Sequence, residues 1–454
     1  MRYTSVRLFF FALVGARLAA AQDPSEQVAQ FSTSSKTTHP SWQVTPEMPN
    51  SNSAADEAAP PTESAHVVDP AEPHWGIVSP DIITRDINLI TAKYKYAGDW
   101  LRGIGLSVPD FNLTGLSDDL GSLDKTVYGL MPLADHGRDL FYYGYVAFGT
   151  GHQSLNISVD TGSADLWVKV NCRTCTGAQL NPSRSRTYRS TGRPFQIQYG
   201  SGSAKGVLAQ DSVTIGGLTV YDQIFGAVSS TSADFNNSPE SGLIGMAFSS
   251  IATSGSPTWF ERLLRSNSKV GPLFSVHMTR RQPAGSEVCL GCYDTRKVRS
   301  GIIWLPVVSK TYWTVTMSGA VVNGGIPITS GEIFAAIDTG TTLVYVPDAF
   351  AQQLYADIPG AQLTKNGYWA IPCSSVASTS ISLLFGSTPF SINMVDFNLG
   401  RLSPSSPYCA CAIMGLGDSF PDNLAIVGVA FLKSWYSTYD YSNGGRVGLS
   451  RSVN

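Results

Sequence analysis

Charged residues are scarce in this 454-residue chain. Asp, Glu, Lys and Arg make up 14% of it, against about a quarter in typical soluble domains. The formal net charge is −3, so the chain lacks the basic excess that nucleic-acid-binding proteins usually carry. The composition therefore argues against a nucleic-acid partner.

Long apolar runs are also lacking. The longest candidate, Leu8–Val14, is followed by Arg17 and is too short to span a bilayer. With Arg2 and Arg7 before it and Ala19-Ala20-Ala21 after it, the run has the pattern of a secretory signal peptide. We expect a signal peptide at residues 1–21, no membrane attachment, and a secreted, extracellular protein, with a vacuolar location as the alternative.

Large apolar residues are rare between Gln22 and Pro73, a composition that favours disorder. A patchy apolar section follows, from Trp75 to about Leu130, and includes Ala92–Tyr96 with its two lysines. From residue 131 onwards short alternating runs separated by glycines predict strands. Residues 1–137 carry a net charge of −7 and residues 138–454 carry +4, either by chance or because an acidic front segment covers a basic body.

Histidines are few in the body, and beyond Arg138 only His152 and His277 occur. A serine hydrolase, which needs a histidine beside its nucleophile, is therefore poorly supported. Two Cys-x-x-Cys pairs have zinc-like spacing, but an exported chain favours disulfides. The seven cysteines are Cys172, Cys175, Cys289, Cys292, Cys373, Cys409 and Cys411.

One short pattern occurs twice. An apolar residue, Asp-Thr-Gly and a hydroxyl residue stand at Val159–Ser163 and again, 178 residues later, at Ile337–Thr341. A single Asp-Thr-Gly could be an ordinary Asx turn. Here each copy is also followed by a short apolar segment that ends in glycine. Gly242–Gly245 ends 85 residues after Asp160, and Ala425–Gly428 ends 90 residues after Asp338. This duplication predicts two similar lobes, each contributing one Asp to a shared cleft.

From about Leu133 to Asn454 the chain resembles the pepsin family (A1-type) of aspartic proteases, especially its secreted fungal members. The resemblance lies in the two Asp-Thr-Gly segments, in Trp167 and in a Tyr-Gly-x-Gly segment beginning at Tyr199. It implies an all-β, bilobal pepsin-like fold, with an N-terminal lobe at 131–305, a C-terminal lobe at 306–454 and a cleft between them. It further implies an aspartic endopeptidase, made as a zymogen with a propeptide at 22–130.

The implied catalytic residues are Asp160 and Asp338. Two carboxylates about 3 Å apart cannot both ionise, so they share one proton. The ionised carboxylate can take a proton from water while the protonated one polarises the peptide carbonyl. No cofactor and no metal are expected. Two glycines and two hydroxyl residues are implied to support this pair: Gly162, Gly340, Ser163 and Thr341.

The segment Tyr199-Gly200-Ser201 is implied to be a flap over the substrate, with Trp167 as the partner of Tyr199 and Leu243 as a further substrate contact. A buried structural tyrosine is the alternative for Tyr199. A phosphate-binding loop is disfavoured, because the glycine spacing is wrong and the following residues favour strand.

The resemblance implies the disulfides Cys172–Cys175 and Cys373–Cys409 and leaves the other three cysteines unassigned. The expected partners are extended peptide substrates cut between bulky apolar residues, pepstatin-type inhibitors, and the propeptide of this chain, with the protein a monomer. Lys93 or Lys95 is expected either at the catalytic pair or on the surface. The alternative function is a catalytically inactive pepsin-like binding protein.

Overall fold

The computed structural model describes residues 76–78, 80–94, 127–136, 139, 141–199, 202–232, 240–329 and 331–454, all within the unit Trp42–Asn454. The predicted signal peptide at 1–21 and the segment 22–73 lie outside the described residues. Among the residues described, no helix is long and apolar enough to cross a membrane.

Strands account for most of the described elements. In the first half of the body they are β1 Gly129–His136, β2 Phe141–Phe148, β3 Gln153–Asp160, β4 Leu166–Lys169, β5 Arg189–Tyr199, β6 Gly202–Ile215, β7 Leu218–Thr231, β8 Gly242–Gly245, β9 Leu273–His277, β10 Ser286–Leu290 and β11 Ile303–Pro306. In the second half they are β12 Ser309–Lys310, β13 Trp313–Met317, β14 Gly319–Val322, β15 Ile333–Ile337, β16 Val344–Val346, β17 Gln362–Leu363, β18 Trp369–Pro372, β19 Ile381–Phe385, β20 Thr388–Ile392, β21 Asn398–Arg401, β22 Tyr408–Cys411, β23 Ile413–Gly415, β24 Leu424–Val427, β25 Trp435–Asp440 and β26 Arg446–Arg451.

The described helices are short except for the first. They are α1 Pro80–Lys93, α2 Trp259–Ser266, α3 Asp348–Ala356, α4 Met394–Phe397 and α5 Val429–Leu432. Four 3-10 turns lie at Pro182–Arg184, Ser249–Ile251, Thr295–Lys297 and Cys373–Ser378.

The sheets follow the two predicted lobes but do not separate them completely. Strands β1 to β11 belong to one sheet, which β25 and β26 from the end of the chain also join. The remaining described strands form sheets of six, three and four strands. The predicted all-β, bilobal fold is confirmed, and the lobes share one continuous sheet.

The predicted duplication is visible in the strand order. In the first lobe β3 pairs in parallel with β8, and β8 pairs antiparallel with β4. In the second lobe β15 pairs in parallel with β24, and β24 pairs antiparallel with β16. Asp160 lies opposite Gly245, and Ile337, the residue before Asp338, lies opposite Val427. Each Asp-Thr-Gly loop therefore leaves the sheet at an equivalent point.

The glycine that ends each partner segment is required by close backbone contact. A Cβ at Gly245 would lie 2.5 Å from the Ala164 nitrogen. At Gly428 it would lie 2.2 Å from the Leu343 oxygen. These strands pass directly behind the two Asp loops, so only glycine fits there.

Helix α1 packs into the main core although it precedes the body. Its residues Ile83, Asp86, Ile90 and Lys93 recur at spacings of three and four, which places them on one face of a helix. Ile83, Asp86 and Ile90 are buried, and Ile83 and Ile90 join the hydrophobic cluster that extends through both lobes. The helix begins at Pro80, the position at which proline suits a helix.

The predicted end of the propeptide at residue 130 falls inside an element. Strand β1 begins at Gly129 and pairs with β10 from Gly129 to Leu133. Val127 forms a further bridge with Val270. The chain is thus fixed to the body before residue 130.

Candidate active site

Asp160 and Asp338 lie where the two equivalent loops meet. Both side chains are buried. Their closeness is apparent from the opposite glycines: a Cβ at Gly162 would lie 2.4 Å from Asp338 Oδ2, and one at Gly340 would lie 2.2 Å from Asp160 Oδ1. Each loop therefore needs glycine in order to approach the carboxylate of the other lobe.

The four supporting residues bind the carboxylates in matching ways. The Gly162 N–H donates to Asp160 Oδ1 at 2.9 Å, and the Ser163 hydroxyl donates to Oδ2 at 2.5 Å. In the second loop the Gly340 N–H donates to Asp338 Oδ1 at 2.8 Å, and the Thr341 hydroxyl donates to Asp338 Oδ2 at 2.6 Å. Both carboxyl groups are held in a fixed orientation.

Two threonines that sequence reasoning left without a role join the loops. Thr161 Oγ1 donates to the Ile337 oxygen at 2.8 Å and accepts from the Thr339 N–H at 3.0 Å. Thr339 Oγ1 donates to the Val159 oxygen at 3.0 Å and accepts from the Thr161 N–H at 3.1 Å. Both Asp-Thr-Gly copies contain this Thr, so the repeated motif could have indicated the contact between the lobes.

The ammonium group of Lys93 lies between the two carboxylates. Its Nζ is 2.6 Å from Asp160 Oδ1, and 3.0 Å and 2.8 Å from the two oxygens of Asp338. Of the two lysines that the sequence singled out, Lys93 is therefore at the pair, whereas Lys95 lies outside the described residues. The ammonium fills the space between the two carboxylates.

Burial and Lys93 act in opposite directions on these carboxylates. Burial raises the pKa of Asp160 to about 6, although the charge of Lys93 lowers it. For Asp338 burial also raises the pKa, but Lys93 and the Thr341 hydrogen bond outweigh it and hold the pKa below its ordinary value. Burial lowers the pKa of Lys93, but the two carboxylates raise it above its usual value, so the lysine stays charged.

Two tyrosines complete the contact around Lys93. The Tyr94 hydroxyl donates to Asp338 Oδ2 at 3.2 Å. The Tyr312 hydroxyl donates to the main-chain oxygen of Lys93 at 2.7 Å, and the two tyrosine rings lie 4.6 Å apart between centroids. The end of helix α1 is thus fixed by hydrogen bonds as well as by charge.

About two turns before Lys93 in helix α1, Asp86 binds the loop that follows Asp338. Its carboxylate accepts from the N–H groups of Thr342 at 2.8 Å and Leu343 at 3.0 Å, and from the Tyr345 hydroxyl at 2.9 Å. Burial raises the pKa of Asp86, and these hydrogen bonds lower it, with a net rise. No sequence signal distinguished Asp86 from the other acids of the front segment.

The predicted flap corresponds to the hairpin of β5 and β6, in which Tyr199 pairs with Gly202. The side chain of Tyr199 and the residues Gly200 and Ser201 lie outside the described part of the chain. Below the hairpin, Trp167 forms a small apolar cluster with Phe195, Ala204, Leu208 and Val228, against which Leu243 packs.

The cysteines form three disulfides. Cys172–Cys175 and Cys373–Cys409 are the pairs that the resemblance implied. The third, Cys289–Cys292, joins two cysteines that the sequence left unassigned, and Cys411 is a buried free thiol. Since both Cys-x-x-Cys pairs are oxidised, neither offers thiolates to zinc.

Two β-lobes that each bring an Asp-Thr-Gly carboxylate to a common central point define the class of bilobal aspartic proteases. Comparison with known proteins agrees. The family model for eukaryotic aspartyl proteases matches residues 141–452.

Three curated relatives illustrate the similarity. An aspartic protease of Phaffia rhodozyma is 36% identical over 72% of this chain and 80% of its own length. The major aspartyl peptidase 1 of Cryptococcus neoformans is 32% identical over 78% and 77% of the two chains. Cathepsin E-B of Xenopus laevis is 33% identical over 71% and 82%. The chain belongs to the eukaryotic aspartyl protease family, and it is an aspartic endopeptidase.

Proposed function

We propose that this chain is the precursor of a secreted acid endopeptidase in which Asp160 and Asp338 activate the attacking water. The observation that carries this proposal is the matched hydrogen bonding of two buried carboxylates beside one cation. A pair so close shares one proton when no cation is present, which suits acid pH. An inactive binding protein would not need two carboxylates held in equivalent orientations.

The reaction follows from this arrangement. The ionised carboxylate accepts a proton from water, whose oxygen attacks the peptide carbonyl carbon. The protonated carboxyl group donates its proton to the carbonyl oxygen, so that a neutral tetrahedral diol forms. When the C–N bond breaks, the nitrogen takes the proton that the first carboxylate received from water, and the diol returns one hydroxyl proton to the pair. Both products leave and the pair again holds one proton.

Residues 22–130 act as the propeptide in this proposal, and Lys93 blocks the catalytic pair. Its ammonium group occupies the space in which the attacking water must lie, and it neutralises the carboxylate that must act as base. Asp86 provides a second anchor on the C-terminal lobe. The precursor is therefore inactive while helix α1 remains in place.

A third anchor lies just before the helix. The Val78 N–H donates to the Arg401 oxygen at 2.9 Å, and the Arg401 N–H donates to the Gly76 oxygen at 2.9 Å. Gly400, with a positive φ of 117°, lies against this contact, and a Cβ there would be 2.2 Å from the Gly76 oxygen. The edge of β21 thus pairs with the front segment through one parallel bridge between Ile77 and Arg401.

Export is supported by the signal-peptide pattern at residues 1–21, and the disulfides are consistent with an oxidising compartment. An extended peptide between the lobes, with bulky apolar residues at the cut bond, is the proposed substrate. Pepstatin-type compounds are the proposed inhibitors. A vacuolar enzyme remains the alternative location.

The experiment compares the wild-type precursor with the Asp160→Asn precursor at pH 4. We expect the wild type to shorten and the variant to stay full length. Because β1 and Val127 are already bonded to the body, the new N-terminus should lie between residue 95 and Gly129, ahead of the propeptide end at residue 130 that the resemblance implied. N-terminal sequencing reads this directly. Equal shortening of the isolated variant would mean that another protease makes the cut.

A further inference from the structure

The three residues that bind Asp86, with the side chain of Thr342 as well as its N–H, form a compact set of hydrogen-bond donors on the C-terminal lobe. The Thr342 N–H points at Oδ1, and the Leu343 N–H and Tyr345 hydroxyl point at Oδ2. Asp86 is only 1% exposed, so these contacts replace its hydration. Both carboxylate oxygens are bound, as in sites built for an anion.

This set favours a carboxylate over the amide of the same shape. An Asn or Gln side chain would place its NH₂ group against one of the two backbone N–H donors, and only one of its two ends can accept. A carboxylate accepts at both oxygens, and each charge-assisted hydrogen bond is stronger than a neutral one. The site therefore distinguishes Glu or Asp from their amides.

The donors belong to the enzyme, whereas Asp86 belongs to the segment that leaves. Strand β16, which carries Tyr345, is held between β24 and β23, and the Val344 N–H donates to the Ala412 oxygen at 2.9 Å. This pairing fixes the donors independently of helix α1. When the helix leaves, the same three groups face the cleft.

The distance between Asp86 and Lys93 along α1 indicates how far this site lies from the cut bond. Asp86 and Lys93 are seven residues apart in a helix, which corresponds to about 10 Å along its axis. An extended peptide covers that length in about three residues. A substrate with its cut bond at the catalytic pair would thus bring a side chain to this site from three or four residues away.

We propose that Thr342, Leu343 and Tyr345 form a carboxylate-binding subsite, which Asp86 occupies in the precursor and an acidic substrate side chain occupies in the mature enzyme. This inference rests on the proposed function, since the propeptide must leave. The substrates it selects are peptides with Glu or Asp three or four residues to one side of the cut bond.

The test uses the mature wild-type enzyme and one well-cleaved peptide. Glu is placed in turn at each of the four positions on either side of the cut bond, and each Glu peptide is compared with its Gln twin at pH 5.5. We expect kcat/KM to be about tenfold higher for Glu at one position, three or four residues from the bond, as hydrogen bonds to a charged group would give. A Glu to Gln ratio within about twofold at every position would overturn the inference, since it is below the effect of one such hydrogen bond.

Variants assign the effect to the site. Tyr345→Phe removes one donor and should lower the Glu to Gln ratio by at least about threefold. Tyr355→Phe is the matched control, because it removes a buried hydroxyl of the same lobe that donates to the Ile413 oxygen instead. An unchanged ratio in Tyr345→Phe would contradict the assignment, and should that variant not fold, the wild-type ratios decide.

The same data separate this inference from the proposed function. If the enzyme cuts the whole series without preferring Glu, the subsite is wrong and the protease function stands. If it cuts none of the peptides, the proposed function fails and the subsite with it.

Discussion

At the scale of single residues, Lys93 should contribute most to holding the front segment on the two carboxylates. Its ammonium group contacts three carboxylate oxygens within 3.0 Å and is buried with them. Removing one partner of a buried ion pair is costly, because the remaining charges lose their compensation. We call the precursor with helix α1 bound over the two carboxylates the closed form, and the enzyme without it the open form. The stability of the closed form should therefore depend strongly on this one side chain.

Lys93→Met tests that dependence. The variant keeps a long side chain but loses the charge, so the front segment should be held more weakly by about 3 kcal/mol. We expect the purified variant precursor to cut a peptide substrate at pH 6.5, where the wild-type precursor is inactive. Lys269→Met, which changes an exposed lysine, is the control. Equal inactivity of the Lys93 variant and the wild type would contradict the role of Lys93.

Thr161→Val tests the contact between the two loops. The substitution removes the bond to the Ile337 oxygen and leaves the Thr339 N–H without its acceptor. The free energy of unfolding should fall by about 2–3 kcal/mol. Urea unfolding in the Asp160→Asn background, which prevents self-digestion, measures it. Thr219→Val, which removes a hydroxyl pair with Thr214 between neighbouring strands, should cost about 1 kcal/mol or less.

Sequence reasoning at this scale succeeds where the chain repeats itself. Asp160 and Asp338 could be predicted because the same pattern appears twice at equivalent points. The choice between Lys93 and Lys95 could not, because it depends on the rotational phase of a helix that was not predicted. Asp86 could not be identified, because its three partners are more than 250 residues away in the chain.

At the scale of elements, helix α1 explains what the sequence concealed. Its buried face includes Asp86 and Lys93 besides Ile83 and Ile90, so charged residues interrupt the apolar periodicity that predicts a helix. The sequence of this section therefore shows only a patchy distribution of apolar residues. These charged residues bind the two carboxylates and the loop after Asp338, so the helix does not pack only against a hydrophobic core.

The cysteines give a second test at the scale of elements. Peptide mapping of the unreduced protein should find Cys289 linked to Cys292 besides the two predicted disulfides. One thiol should be titrated, and only after unfolding, because burial raises the pKa of Cys411 to about 12. Finding Cys411 joined to Cys373 would contradict the pairing.

At the scale of the whole molecule, the lobes, the shared sheet and the front segment form a device that responds to pH. The charge of Lys93 lowers the pKa of Asp160, which burial raises to about 6. Lys93 also holds the pKa of Asp338 below its ordinary value, and that effect is lost when the helix leaves. At Asp338 the form with the helix bound thus binds fewer protons than the open form, and acidification favours opening.

The predicted pH dependence follows from that sign. The stabilisation that Lys93 gains from Asp338 is fully present above the ordinary pKa of an aspartate, about 4, and is lost as the pH falls through the lowered pKa of Asp338. Conversion of the precursor should therefore be slow at pH 8 and rapid at about pH 4 and below. The half-time of shortening, followed on gels from pH 4 to pH 8, measures this. A half-time that does not change with pH would contradict it.

The fold of the body could be predicted as a whole, because the duplicated segments specify two lobes and the glycine-rich alternating runs specify strands. The continuity between the lobes could not. Strands β25 and β26 come from the end of the chain yet pair with β9 and β11 of the first lobe, a pairing that no local pattern indicates.

The most direct test of the central claim is the rate of peptide hydrolysis by Asp160→Asn and Asp338→Asn. In each chain the front segment is removed by an added site-specific protease, at a recognition sequence placed between α1 and β1. At pH 4 both variants should hydrolyse the peptide more than about 10³-fold more slowly than the identically treated wild type, because an amide cannot share the proton of the pair. Should either folded variant keep more than about a tenth of the wild-type rate, far above what loss of acid–base catalysis allows, Asp160 and Asp338 would not be the catalytic pair.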